Sequence, residues 1–287
     1  MPTASGSAVL EDSSRSKDAL VDMGQRVLSA LVALPPIIAI IWVGEPWYTP
    51  AVAVVTLLAT WEFYSMAASA IGGNGSIRWI GSIGSVLFVA NARLGGPFTG
   101  LLITLVLLSS FVGAIANTQE RAKFTSWLWY FGGVMYVGWV MAHFVLLRGL
   151  GHGRELILLV LLCAFATDTS AFLVGRNWGK RRLAPDISPA KTWEGAVAGL
   201  AGALVSCIAL VNILVLPITL AHAIALGAIV GVFSQVGDLS ESMIKRSTGA
   251  KDSGTLIPGH GGILDRLDSL VFTVPLIYYY SVWLLGG

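Results

Sequence analysis

Charge is scarce in this chain. Asp, Glu, Lys and Arg make up 12% of its 287 residues, where a soluble domain carries about 25%, so a water-soluble globular protein is excluded. The net charge of +2 is too small for a nucleic-acid-binding surface, and no polar stretch interleaves basic and aromatic residues as such a surface would. Cysteine is equally rare. Cys163 and Cys207 lie in separate apolar runs without metal-ligand spacing, which excludes a disulfide scaffold and leaves both as buried packing residues. The four histidines include no pair at metal spacing, and His143, His152 and His222 stand near run ends or outer turns. Neither an internal repeat nor a pair of interrupted apolar segments is visible, which weighs against a transporter built from repeats.

What the chain has instead is apolar length. Hydrophobic residues reach 55% and mean hydropathy is +0.76. Nine apolar stretches, each of about the 17–25 residues a helix needs to cross a bilayer, centre near Pro36, Leu57, Val86, Leu107, Val137, Cys163, Val205, Val230 and Ile277. The pattern predicts an all-α, polytopic integral membrane protein with about nine transmembrane helices; the third stretch is the weakest, being rich in Gly and Ser and carrying Asn91. Residues 1–22, rich in Ser and Asp, read as a flexible tail and not as a cleaved signal. With the N-terminus in the cytoplasm, 15 of the 18 Lys and Arg residues fall on inner segments, and only Arg93, Arg148 and Arg154 on outer ones. That asymmetry supports both the orientation and the count. A weak shift in composition near residue 150 divides N-terminal helices (23–150) from a C-terminal region (151–287) holding two polar inner loops, 175–195 and 245–268.

The longer polar run, Ser242 to Asp268, is the only extended glycine-rich segment inside the apolar chain. Lys245, Arg246, Lys251 and Arg266 supply cations, Asp252, Asp265 and Asp268 supply carboxylates, and Gly254, Gly259, Gly261 and Gly262 admit close backbone approach. Polyphosphate with a divalent metal requires this mixture: cationic donors and amide N–H groups for phosphate oxygens, and one or two carboxylates for Mg²⁺. If the segment after Gly262 is helical, Asp265 and Asp268 share a face. Just upstream, Gln235, Asp238, Ser242 and Lys245 recur at helical spacing and turn one polar face toward the same run. Glu241 is one step off that face, a partner for Lys245.

The run resembles the signature of the phosphatidate cytidylyltransferases, also called CDP-diacylglycerol synthases. In that pattern a Ser is followed by Lys-Arg, four residues, Lys-Asp, a small residue, Pro/Gly-x-His-Gly-Gly and Asp-Arg-x-Asp. Here it is met by Ser242, Lys245, Arg246, Lys251, Asp252, Gly254, Pro258, His260, Gly261, Gly262, Asp265, Arg266 and Asp268. The shorter loop ends in Ser188, Pro189, Lys191, Thr192, Glu194 and Gly195, which also resembles the family, as does Asp168 followed by Ala171, Phe172 and Gly175. Lys-Thr beside a helix start is a good phosphate holder, although Lys180, Arg181 and Arg182 serve equally well as an inner-side anchor or a grip on anionic headgroups.

The resemblance implies transfer of CMP from CTP to phosphatidate, with release of pyrophosphate; the basic-residue asymmetry leads us to expect the site on the cytoplasmic face, and the short tail without a targeting signal an inner cell membrane. A phosphate monoester is already anionic near neutral pH, so no Ser-His-Asp arrangement is needed and none is found. The expected catalytic residues are Asp238, Asp265, Asp268, Lys245 and His260. Asp238, Asp265 and Asp268 are the expected ligands of Mg²⁺, with a second cation such as K⁺ as an option. Substrate contacts are expected from Arg246, Lys251, Asp252, Gly261, Gly262, Arg266, Ser188, Lys191, Thr192, Glu194 and Asp168. The expected partners are CTP, phosphatidate and the bilayer, with no nucleic acid and with a homodimer left open. Glu62, an acid within an apolar stretch and far from either motif, is equally compatible with function and structure. Two other classes remain as alternatives: a CTP-dependent lipid kinase of the polyprenol type, and an ion-coupled transporter using Asp168, Asp238 and Glu62.

Overall fold

The computed structural model of the protein describes residues 35–71, 76–116, 123–250, 252–254 and 261–286. The expected tail at 1–22, together with Lys251 and His260, lies outside the described residues. Among the described residues, eleven α-helices run in chain order: α1 (35–43), α2 (Tyr48–Ile71), α3 (Ser76–Arg93), α4 (Thr99–Ala116), α5 (Lys123–Gly133), α6 (Val140–Arg148), α7 (Gly153–Trp178), α8 (Trp193–Ile213), α9 (Leu220–Ser247), α10 (Leu264–Val271) and α11 (Thr273–Leu284). A π-helical stretch, Val134–Trp139, joins α5 to α6. Helices dominate because a chain this apolar must satisfy its own backbone polar groups where water is absent.

Among the described residues, five helical segments are long and apolar enough to cross a membrane: Tyr48–Ala68, Phe124–Arg148, Gly153–Trp178, Trp193–Ile213 and Leu220–Ser247. Thr99–Ile115 is apolar but shorter. The other expected centres also fall on helices, Pro36 in α1, Val86 in α3 and Ile277 in α11. Pro275 has no N–H to return to Val271, which accounts for the break at Phe272 that leaves α11 only 12 residues long.

One part of the all-α expectation needs correction. The loop at 175–195 contains a two-stranded antiparallel hairpin, β1 (Arg182–Ala184) and β2 (Ser188–Thr192), in which Arg182 pairs with Thr192 and Ala184 with Ser188. Pro185 and Asp186 make the turn, closed by Ile187 N–H donating to the Ala184 carbonyl at 3.2 Å, and Pro189 bars helix on the return strand.

Small residues bring the C-terminal helices together. A side chain at Gly195, Gly199 or Gly202 of α8 would press into Ala171, Thr167 or Ser170 of α7, and one at Gly227 or Gly231 of α9 into α8 near Ala203 and Leu200. Such seams let helices approach where lipid offers no hydrophobic contrast. Cys163 and Cys207 are both free and buried, as expected. The N-terminal helices instead pack around aromatics. The Tyr64 ring fills the space left by Gly81 and Gly133, and its hydroxyl donates to the Tyr130 carbonyl at 2.7 Å.

Candidate active site

The two polar loops meet. Lys191, on β2, places Nζ 2.6 Å from Asp238 Oδ2 of α9, and Arg246 Nε, near the end of α9, donates to the Ile187 carbonyl in the hairpin turn at 3.3 Å. The local sequence shapes the shorter loop. Thr192 caps α8 by accepting from Gly195 N–H at 3.2 Å, and the Glu194 carboxylate accepts from the amides of Lys180 and Arg181 at 3.1 and 3.2 Å. Thr192 and Glu194, expected to touch substrate, therefore hold the loop in shape, while Lys191 reaches across it. Ser188 sits half-buried on β2 opposite Ala184.

The signature run closes on itself around Asp265. Lys245 Nζ lies 2.6 Å from Asp265 Oδ1 and 3.3 Å from Glu241 Oε2. The other oxygen, Asp265 Oδ2, accepts from Ser253 N–H at 3.0 Å, the Ser253 hydroxyl at 2.8 Å and Gly262 N–H at 2.8 Å. Burial pushes this carboxyl up, but the Lys245 ammonium and the amides of Gly262 and Ser253 outweigh it and hold the group down at about 2. Gly261 has φ +78°, and a side chain there would press against Asp265 Oδ2, so this glycine is required by both conformation and space. Asp252 is exposed beside it.

A second carboxylate pair faces this group. Asp268 and Asp168 are bridged by Ser269, whose hydroxyl lies 3.0 Å from Asp168 Oδ2 and 3.2 Å from Asp268 Oδ1. Burial first, then the Asp238 charge, pushes the Asp268 carboxyl up to about 7. The approach is close because α9 carries Gly237, where a side chain would strike the Asp268 carbonyl. Arg266, on the exposed side of α10, acts electrostatically on Asp168. Asp168 lies ten residues before the end of α7 and Asp238 nine before the end of α9. At 1.5 Å per residue, both carboxylates sit about 14–15 Å in from their helix ends. Among the described residues, no group of three or more His, Cys, Asp or Glu side chains is arranged to hold a metal. Mg²⁺ bound through one or two carboxylates plus phosphate and water needs no such cage.

A model of the cytidylyltransferase family matches residues 24–284, almost the whole chain. The chain belongs to the cytidylyltransferase family. It is 33% identical over 296 aligned residues to a phosphatidate cytidylyltransferase of Synechocystis sp., covering 91% of this chain and 97% of that protein. The enzyme of the same name from Haemophilus influenzae is 32% identical over 91% of this chain and 99% of its own. That of Bacillus subtilis is 32% identical over 91% and 98%.

In this cytidylyltransferase the described site also draws on residues that no motif singled out. Ser253 and Ser269 each bridge two carboxylates, yet in sequence one passes for a small loop residue and the other for a helix residue. Glu241 is fully buried, next to Lys245 and within reach of the Asp265 and Asp268 carboxyls, a stronger involvement than pairing with Lys245 alone. Tyr136, on the π-helical stretch, packs its ring against Phe63 and Phe272. Its buried hydroxyl lacks a hydrogen-bond partner and lies within electrostatic reach of Glu241, Asp268 and Asp238. π-Turns favour functional sites, but nothing in the local sequence marks this one. Glu62 turns out to be tied to the signature run.

Proposed function

We propose that this cytidylyltransferase transfers CMP from CTP to phosphatidate, forming CDP-diacylglycerol and pyrophosphate. The relatives named for that reaction span nine-tenths of the chain, and the observation that carries the reading is the 2.6 Å pair between Lys191 and Asp238. It joins the basic hairpin to the carboxylate cluster, so two polyanions can be gripped over one group of acids. The kinase and transporter alternatives gain no support from the relatives.

An oxygen of the lipid phosphate attacks the α-phosphorus of CTP, the new P–O bond forms, and the bond to the β-phosphate oxygen breaks to release pyrophosphate. The nucleophile is the substrate's own, so the protein's task is positioning and charge neutralisation. Lys191, Arg246 and Arg266 hold phosphate oxygens, and Lys251 joins them from the same run. Lys245 keeps Asp265 ionised and oriented. Asp238 and Asp268 would hold Mg²⁺, with Asp265, itself engaged by Lys245, Ser253 and Gly262, shaping the site beside them; burial and mutual repulsion of Asp238 and Asp268 are the features that favour a cation there. When bound, the metal supplies charge stabilisation to the phosphates. His260 is proposed to line the same phosphates.

We further propose nine crossings, with the N-terminus and both polar loops on the cytoplasmic side of an inner membrane. The distribution of basic residues supports this orientation, and the meeting of the two loops requires them to share a side. A site about 14–15 Å in from the helix ends suits a lipid headgroup approaching from the bilayer.

The test is product analysis with labelled CTP and purified protein in detergent, with and without phosphatidate and Mg²⁺. Metal-dependent CDP-diacylglycerol with equimolar pyrophosphate is expected. CDP with a phosphorylated lipid, or no CTP turnover with any lipid acceptor, would overturn the reading.

A further inference from the structure

Glu62 is the only Asp, Glu, Lys, Arg or His in α2, and it is 3% exposed. A carboxylate inside an apolar span is expensive unless fully engaged. Here Oε1 accepts from Ile263 N–H at 3.0 Å, while Oε2 accepts from Leu264 N–H at 2.9 Å and lies 3.2 Å from the Ser253 hydroxyl. The two amides open α10, where the helix dipole favours an anion. Ser253, itself 4% exposed, also reaches Asp265 Oδ2 at 2.8 Å and accepts from Asp265 N–H at 3.3 Å. One acid from the N-terminal helices thus grips the run at two places, Ser253 and Ile263–Leu264.

Two signature glycines fit this grip. A side chain at Gly254 would come within 2.6 Å of Glu62 Oε1, and one at Gly262 would strike the Ser253 hydroxyl and Glu62 Oε2. Neither glycine has a positive φ, so space and not backbone freedom requires them. Their expected use, close approach to a ligand, is taken here by a protein carboxylate.

We propose that Glu62 is a positioning residue that fixes the backbone at Gly262–Leu264 and, through Ser253, the orientation of Asp265. The proposal rests on the reading of Asp265 as part of the catalytic machinery. It makes α2 a working part of the site and not only a membrane anchor.

The test uses the full-length protein in detergent with Glu62→Gln, Glu62→Ala, Gly254→Ala and the Gly254→Ala/Glu62→Ala double variant. Two readouts are taken: amide hydrogen exchange without nucleotide, and CTP turnover with phosphatidate. In Glu62→Ala, exchange at residues 262–264 should accelerate by about tenfold or more while α7 and α8 keep wild-type protection. Its kcat should fall roughly a hundredfold with KM for CTP within about threefold. Glu62→Gln should lie between, because its one carbonyl oxygen still accepts one N–H. Gly254→Ala should lower turnover in the wild type but cost clearly less beside Glu62→Ala, a non-additivity expected only if the two share one space. Unchanged exchange at 262–264, wild-type turnover in Glu62→Ala, additive effects, or loss of protection throughout the protein would each overturn the proposal. Absence of CTP turnover in the wild type would instead overturn the proposed function, leaving the exchange data to decide the role of Glu62.

Discussion

The two polar loops are held in opposite ways. The shorter is built from within: its turn, its helix cap at Thr192 and the Glu194 clasp on Lys180 and Arg181 all join residues at most 14 apart. The signature run has an internal tie, Lys245 to Asp265 at a separation of 20, but is also held from outside itself, by Glu62 at separations of 191–202. A loop fastened locally can present a cation such as Lys191 almost regardless of the rest of the fold. A loop fastened from a distant helix can be set only when the whole bundle has packed, which ties the orientation of Asp265 to the integrity of the membrane helices.

Substitutions should separate the two kinds of fastening. The largest effect is expected from Asp265→Asn, which removes the charge that Lys245, Ser253 and Gly262 converge on; CTP turnover should fall roughly a thousandfold while elution in detergent stays as wild type. Full activity in membranes would remove Asp265 from the site. Lys191→Met breaks one of the two links between the loops and removes the ion-pair partner of Asp238, so turnover should fall about tenfold to a hundredfold, with KM for CTP rising. A change confined to thermal stability would make that pair structural. Glu194→Ala frees the Lys180 and Arg181 amides, and a loss of roughly threefold to tenfold in turnover is expected, with faster exchange confined to residues 180–195. Faster exchange in the signature run as well would show that the shorter loop is not self-contained. The smallest effect is that of Thr192→Ala, which removes one helix cap and should lower stability by about 1 kcal/mol, read as a shift of the thermal midpoint in detergent.

How much of this was legible in the sequence follows the same division. Apolar runs gave helix positions because a bilayer leaves few other solutions, and all nine expected centres lie on helices. The signature residues were legible by type and spacing, and Asp238 by being an acid in an apolar helix beside a polar run. The hairpin escaped notice because its strands are three and five residues long, too short for an alternating pattern to declare itself. Ser253 and Ser269 escaped because a serine bridging two acids has the same local sequence as one in a linker. Glu62 was visible as a costly charge, but its partners lie about 200 positions away, and no periodicity links them. Tyr136 depends on a π turn packed through Gly133 and Gly138, a feature of packing and not of local pattern.

The claim that most needs testing is that the two loops build one site on one side of the membrane. In a background with Cys163 and Cys207 replaced, Ile187→Cys and Arg246→Cys should be joined by a short bifunctional thiol reagent in native membranes, since the Arg246 Nε to Ile187 carbonyl distance is 3.3 Å. Rapid cross-linking within one chain, with each single-cysteine variant unlinked, is the predicted result. Accessibility of the two cysteines from opposite sides of the membrane, or no cross-link while both react singly, would contradict the account.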